Sequence, residues 1–194
     1  MQQGELGMII AKDYRSLVTP DLAGWRMAGS GGFKSTEAGI ESYGGPGLLW
    51  FAEQEFEDFV LRVRWRLTNP HDNSGVFIRM PPIGEDIEPA IREGYEVQID
   101  DRGVDPATEQ LDSALHLTGA VYGLAPAKAN ASGPVGTWND FEIAARGPVI
   151  SVTLNDVPVA ELRQAPRRQR GHIGLQAHHD GSAVQFAALD IRVL

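Results

Sequence analysis

Glu96, Gln98 and Asp100 occupy alternate positions of Gly94-Tyr95-Glu96-Val97-Gln98-Ile99-Asp100, with Val97 and Ile99 between them and Tyr95 before. A period of two belongs to a strand. It sends the apolar residues to one face and the two carboxylates and the amide to the other, each about 7 Å from the next. Such a row of acids and acceptors suits a hydroxyl-rich ligand or a proton-transfer site. The plainer alternative is a strand face open to water.

Two neighbouring segments phase the same way. In Asn73-Ser74-Gly75-Val76-Phe77-Ile78-Arg79, Val76 and Ile78 turn inward, and Asn73, Gly75, Phe77 and Arg79 share the other face. In Ile173-Gly174-Leu175-Gln176-Ala177-His178, Ile173, Leu175 and Ala177 turn inward, leaving Gly174, Gln176 and His178 opposite. If the three strands lie in one sheet, its non-core face gathers Phe77, Arg79, Glu96, Gln98, Asp100, Gln176 and His178. A base, an acid, a cation and an aromatic surface together could act on a carbohydrate. Arg79 has the alternative of a structural ion pair with Glu96 or Asp100, and His178-His179-Asp180-Gly181 that of a polar hairpin tip. Tyr122 and Tyr43, each beside Gly, are candidates to line a cleft. Trp50 and Trp138 read as core, and His71, His116 and His172 as surface or satisfied polar residues.

Other chemistries find no motif. The chain has no HExxH pattern, EF-hand spacing, GxSxG elbow, P-loop or dinucleotide fingerprint. Its 194 residues contain no Cys, which removes thiolate nucleophiles, disulfides and Cys-based metal sites, and leaves the compartment open between cytoplasmic and exported. A formal charge of −9 disfavours nucleic acid as a partner. No apolar run has the length of a membrane span, and Met8-Ile9-Ile10 is too short for a signal-peptide core.

The elements that must position these residues are strands. Twenty-two Gly and twelve Pro break the chain too often for long helices. Phe59, Leu61, Val63, Trp65 and Leu67 alternate with Arg62, Arg64 and Arg66, predicting a strand with a wet, basic outer face. Further strands are predicted over 74–80, 95–100, 141–145, 150–154, 173–177 and 184–193, with a hairpin turn at Asn155-Asp156. Residues 106–117 are the one predicted helix, and 81–92 and 123–136 are predicted loops. The pattern is that of a single all-β sandwich or jelly roll.

Several of these segments, in this order, resemble the 3-keto-disaccharide hydrolase domain family. They are Gly47-Leu48-Leu49-Trp50, Asp58-Phe59-Val60-Leu61-Arg62 with Trp65-Arg66, and Asn73 to Arg79. Gly94 to Asp100, Thr118-Gly119-Ala120-Val121-Tyr122, Gly136-Thr137-Trp138-Asn139-Asp140 and Gly174-Leu175-Gln176-Ala177-His178 follow. The resemblance runs from about Tyr14 to Leu194, with 1–13 as an N-terminal extension. It implies a concanavalin A-like jelly-roll sandwich of two antiparallel sheets with a carbohydrate site on the concave one. It also implies action on glycosides already oxidised at C3, and hence a functional link to a sugar 3-dehydrogenase. A 3-ketone acidifies the C2 proton; its removal lets the enolate expel the aglycone from C1, and water then adds to the enone. That route requires a base and an oxyanion partner rather than the paired carboxylates of ordinary glycosidases. By residue type, Glu96, Asp100 or His178 is the base and Arg79 the oxyanion partner, with a divalent metal as its alternative. Gln98, Gln176, Phe77 and Tyr122 would bind substrate. A non-catalytic carbohydrate-binding module of the same fold is the competing reading.

Overall fold

The structure, a computed structural model, describes residues 13–19 and 21–194. The expected N-terminal extension, Met8-Ile9-Ile10 included, lies outside the described residues except for Asp13. The strands are β1 (Arg15–Ser16), β2 (Trp25–Gly29), β3 (Gly32–Thr36), β4 (Gly39–Tyr43), β5 (Gly47–Phe51), β6 (Phe59–Leu67), β7 (Ser74–Met80), β8 (Tyr95–Ile99), β9 (Asn139–Arg146), β10 (Val149–Leu154), β11 (Val157–Leu162), β12 (His172–Ala177) and β13 (Val184–Val193). Helix α1 (Glu88–Glu93) precedes β8.

All pairings are antiparallel. An eight-stranded sheet runs β11-β10-β9-β6-β13-β4-β3 with β1 on β13, and a five-stranded sheet runs β2-β5-β12-β7-β8. Alternation explains how they pack. Leu61, Val63 and Trp65 of β6 meet Val76, Ile78, Val97, Ile173 and Leu175 in one core between the sheets. The three strands that the sequence pattern phases together, β12, β7 and β8, are consecutive neighbours in the smaller sheet. The Asn155-Asp156 turn joins β10 to β11 with both residues at positive φ, 50° and 66°, as a two-residue hairpin turn of the I′ kind requires.

Two local expectations are corrected. Residues 106–117 form turns rather than a helix; Asp105 caps its own turn, its side chain accepting from the Ala107 and Thr108 amides. The helix falls instead in the segment read as a loop, where Pro89 sits at the first turn and Gly94 closes the last by donating its N–H to Ala90 O at 2.9 Å. Together with Ile83, α1 lays a second apolar cluster on the outer face of the smaller sheet, over Ala28, Leu48, Trp50, Phe77 and Met80. Half of that face is therefore covered. Gly75, Glu96 and Gln98, nearer β8 on that face, lie outside the cluster.

Candidate functional site

Register arranges the β12, β7 and β8 part of that face in rows. Gly75 lies opposite Gln98, and Phe77 opposite Glu96. On the other side of β7, Leu175 lies opposite Val76, so continuing one step brings Gln176 beside Gly75. Beyond β8 the chain returns along the strand edge: Val121 bridges Val97, Gln98 N donates to Ala120 O at 3.0 Å and Tyr122 N to Glu96 O at 2.9 Å. Cross-strand partners share a face, so Tyr122 stands beside Glu96 on the outer side. The rows are Phe77–Glu96–Tyr122, Gln176–Gly75–Gln98 and, at the end of the strands, Asn73 beside Asp100.

Gly75 makes the middle row a notch. A Cβ there would stand 2.0 Å from Glu96 Oε1 and 2.7 Å from its Cγ and Cδ, so the Glu96 side chain lies in space that only glycine leaves. Among the described residues its carboxyl makes no hydrogen bond or ion pair with another side chain. Glu96 is only partly exposed, and loss of hydration alone pushes its pKa up to about 8.

The amides beside it are oriented by a chain of hydrogen bonds. Asp100 is wholly buried and accepts from Arg102 N at 3.0 Å, Val104 N at 3.2 Å and Asn73 Nδ2 at 3.3 Å. A carboxylate in that role only accepts, so Asn73 turns its NH2 to Asp100 and its Oδ1 to Gln98 Nε2, 3.4 Å away. Gln98 Oε1 is then left buried with no partner among the described residues, and Gln176 Oε1 is in the same condition. Two unpaired carbonyl oxygens and an unpaired carboxyl flank the notch over Gly75. Buried acceptors in that state call for a donor that the described residues do not supply, a bound water or a ligand hydroxyl. One carboxylate and two amide oxygens are also hard donors for a divalent cation. They fall short of the roughly six to eight oxygens of a calcium shell, so substrate or water would complete it. Among the described residues no cluster of three or more His, Asp or Glu stands ready for a metal.

Tyr122 completes the wall. Burial first, then the charges of Glu96, Asp105 and Asp100, raise its pKa, which keeps the phenol protonated and able to donate. Its ring meets His116 edge-on at 4.8 Å, and His116 Nδ1 is 2.7 Å from Ser113 Oγ. Neither His116 nor Ser113 carries a sequence signal for this place; the loop fold brings them there. Asn73 did carry one, being in phase with Gly75. His178, just past β12, holds its Nδ1 2.8 Å from His179 Nδ1. Loss of hydration and then the neighbouring His179 depress its pKa, so the ring is neutral near pH 7.

Two expected members are displaced. Arg79 does not face the notch. A bulge inserts one extra residue into β7 opposite β12, and Arg79 takes φ of 50°. Its guanidinium, 0% exposed, donates to Glu57 O at 2.9 and 2.6 Å, to Gly147 O at 2.7 Å and to Asp58 Oδ1 at 3.1 Å. It ties the strand ends together, and its partners are neither Glu96 nor Asp100. Phe77 holds the expected face but is 1% exposed beneath the α1 cluster, so no sugar can stack on it. Asp100 is in the site, with its oxygens committed to the backbone turn. Trp50 is buried as expected, against His172. Trp138 instead lies partly exposed on the larger sheet under the Arg66 guanidinium.

Residues 13–192 match the 3-keto-alpha-glucoside-1,2-lyase-like domain family. The chain belongs to that family. Its members are carbohydrate-related domains. Among solved structures it is similar to two Parabacteroides distasonis proteins named as candidate glycosyl hydrolases. One is 22% identical over 93% of this chain and 99% of the other, with a TM-score of 0.77. The second is 19% identical over 95% of each chain, with a TM-score of 0.80. A Bacillus subtilis protein of galectin-like fold is 10% identical over 92% of this chain and 94% of its own, at a TM-score of 0.59. These likenesses give the fold: a concanavalin A-like jelly-roll sandwich. No curated protein matches the chain. Among the described residues no helix is long and apolar enough to cross a membrane.

Proposed function

We propose that this domain cleaves 3-keto-glycosides by elimination across C1 and C2, with Glu96 as the proton-transfer group. The carrying observation is the Glu96 carboxyl itself: unpaired, desolvated and held in a notch only glycine permits. A carboxylate with a raised pKa is a stronger base than an ordinary one, and its neutral form a ready donor once it has taken a proton.

The steps balance without an oxidant. Glu96 takes the C2 proton, and the C–H electron pair moves into a C2=C3 enolate with its charge on the former ketone oxygen. The ketone re-forms as a C1=C2 double bond is made and the C1–O glycosidic bond breaks. The proton now on Glu96 goes to the departing alkoxide. Water added later across C1=C2 completes a net hydrolysis. With Arg79 committed elsewhere, the enolate oxygen falls to Tyr122, whose hydroxyl shares the Glu96 row and stays protonated. Gln98 and Gln176 accept from ring hydroxyls, and neutral His178 closes the lower end.

This reading draws on the family's name for its substrate and implies a dehydrogenase that supplies the 3-ketone. The test is incubation with a 3-keto-glucoside bearing a chromogenic aglycone, with and without chelator. Release of the aglycone, lost in Glu96→Gln, is expected. Absence of release under every metal condition defeats the assignment.

A further inference from the structure

On the opposite side of the sandwich a groove of about 670 Å³ crosses the outer face of the larger sheet, within the size range of small-ligand sites. Its floor is one cross-strand row, Asp190–Arg62–Glu142–Thr153, fixed by the registers of β13, β6, β9 and β10. Three strand spacings make that row about 14 Å long, the reach of two to three pyranose rings. A second row, Arg64 and Asp140, runs beside it.

Side-chain contacts hold the walls. At one end the Tyr14 ring is held by the Arg62 and Arg192 guanidiniums, 4.5 and 5.4 Å from its centroid. At the other stands the Asn155-Asp156 turn. There the Asn155 amide donates to Ala131 O at 2.9 Å and Asn139 Oδ1 at 2.8 Å and accepts from Asp140 N at 2.9 Å.

The charges choose the ligand. Arg62 pairs with Glu142 at 3.0 Å and Arg64 faces Asp140 at 3.8 Å. Asp156 and Asp190 add carboxylates, and with Arg192 behind Tyr14 counted, four carboxylates face three guanidiniums, so the groove is net negative. It repels phosphates, sulfates and uronic acids. Alternating guanidinium forks and carboxylates offer paired donors and acceptors, which match vicinal hydroxyls. We propose that this groove is a second site that binds a neutral oligosaccharide chain without cleaving it, independently of the Glu96 site.

Isothermal titration calorimetry with unoxidised maltotetraose and cellotetraose tests this. At least one is expected to bind wild-type protein, with affinity unchanged in Glu96→Gln. Affinity should fall tenfold or more in Tyr14→Ala and in the double variant Arg62→Ala/Glu142→Ala. Both sets of substitutions are at the groove surface, and circular dichroism confirms that the variants remain folded. No binding of either sugar at millimolar concentration overturns the proposal. So does binding that survives the groove variants but is lost in Glu96→Gln, or tighter binding of a sulfated tetrasaccharide. None of these outcomes depends on whether a 3-keto-glycoside is cleaved.

Discussion

The Glu96 carboxyl lies over Gly75 so closely that one added methyl group on Gly75 would stand 2.0 Å from Oε1. The three nearest atoms that would clash all belong to the flexible Glu96 side chain and none to backbone. Gly75→Ala should therefore fold with a melting temperature within a few degrees of wild type. It should lose at least about a hundredfold in turnover of a 3-keto-glycoside, the scale for displacing a positioned acid–base group. Unaltered turnover would mean that Glu96 can work from elsewhere.

The raised pKa of Glu96 makes two linked predictions about pH. As a base, Glu96 works only when ionised, so kcat/KM should climb about tenfold per pH unit below pH 8 and level off above it. Stability runs the other way. Folded Glu96 keeps its proton up to about pH 8, whereas in the unfolded chain it gives the proton up near 4.5, the ordinary value for a glutamate. The unfolded state thus binds fewer protons between those values. The stabilisation is complete below about 4.5 and disappears as pH rises through about 8. Glu96→Gln carries no such proton. Its unfolding free energy should match wild type near pH 4 and exceed it increasingly towards pH 8, by a margin on the order of 2 kcal/mol after allowance for partial exposure. A constant difference across that range would mean that Glu96 titrates normally.

The placing of Glu96, Gln98 and Gln176 was legible because alternation fixes which residues share a face, and adjacency of β12, β7 and β8 did the rest. What defeated the pattern at Arg79 was one extra residue in β7, which no periodicity announces. Phe77 kept its phase but not its exposure, since the covering helix lies in a segment whose Pro and Gly read as loop. Tyr122 is singled out in the sequence by the glycine beside it, yet its row-mate Glu96 follows only from the Val97–Val121 bridge. His116, held by Ser113, meets Tyr122 through turns held by Asp100 and Asp101, and that contact has no sequence period at all.

Arg79 should behave as a stability residue. Its guanidinium is buried and satisfies two backbone carbonyls and Asp58, and a lysine cannot reproduce the fork. Arg79→Lys should cost about 3 kcal/mol in urea unfolding. The protein that remains folded should turn over at close to the wild-type kcat. A normal stability with kcat reduced a hundredfold would return Arg79 to the chemistry.

Tyr122→Phe removes one hydroxyl and keeps the ring against His116. If the phenol receives the enolate charge, kcat should fall about a hundredfold while KM changes little, because the bond strengthens only as charge develops. A rise in KM alone would make Tyr122 a ground-state sugar contact.

Gln98 offers the complementary case. Its orientation is imposed from behind, by Asn73 and ultimately by the acceptor-only Asp100, so Oε1 is fixed in place, buried and without a partner among the described residues. A group held in place in this way contributes equally to bound substrate and transition state. Gln98→Leu fills similar space and removes the acceptor, and should raise KM about tenfold with kcat nearly unchanged. Asn73→Asp acts on the same amide without touching the ligand. It sets a second carboxylate against Asp100 and removes the donor that Asp100 receives, while an acceptor remains for Gln98 Nε2. The stability loss from that buried like-charge pair should therefore be larger than in Gln98→Leu, and the KM effect smaller. If both variants instead lose kcat in parallel, the amide chain takes part in the proton transfer itself, and the separation between binding row and catalytic row fails.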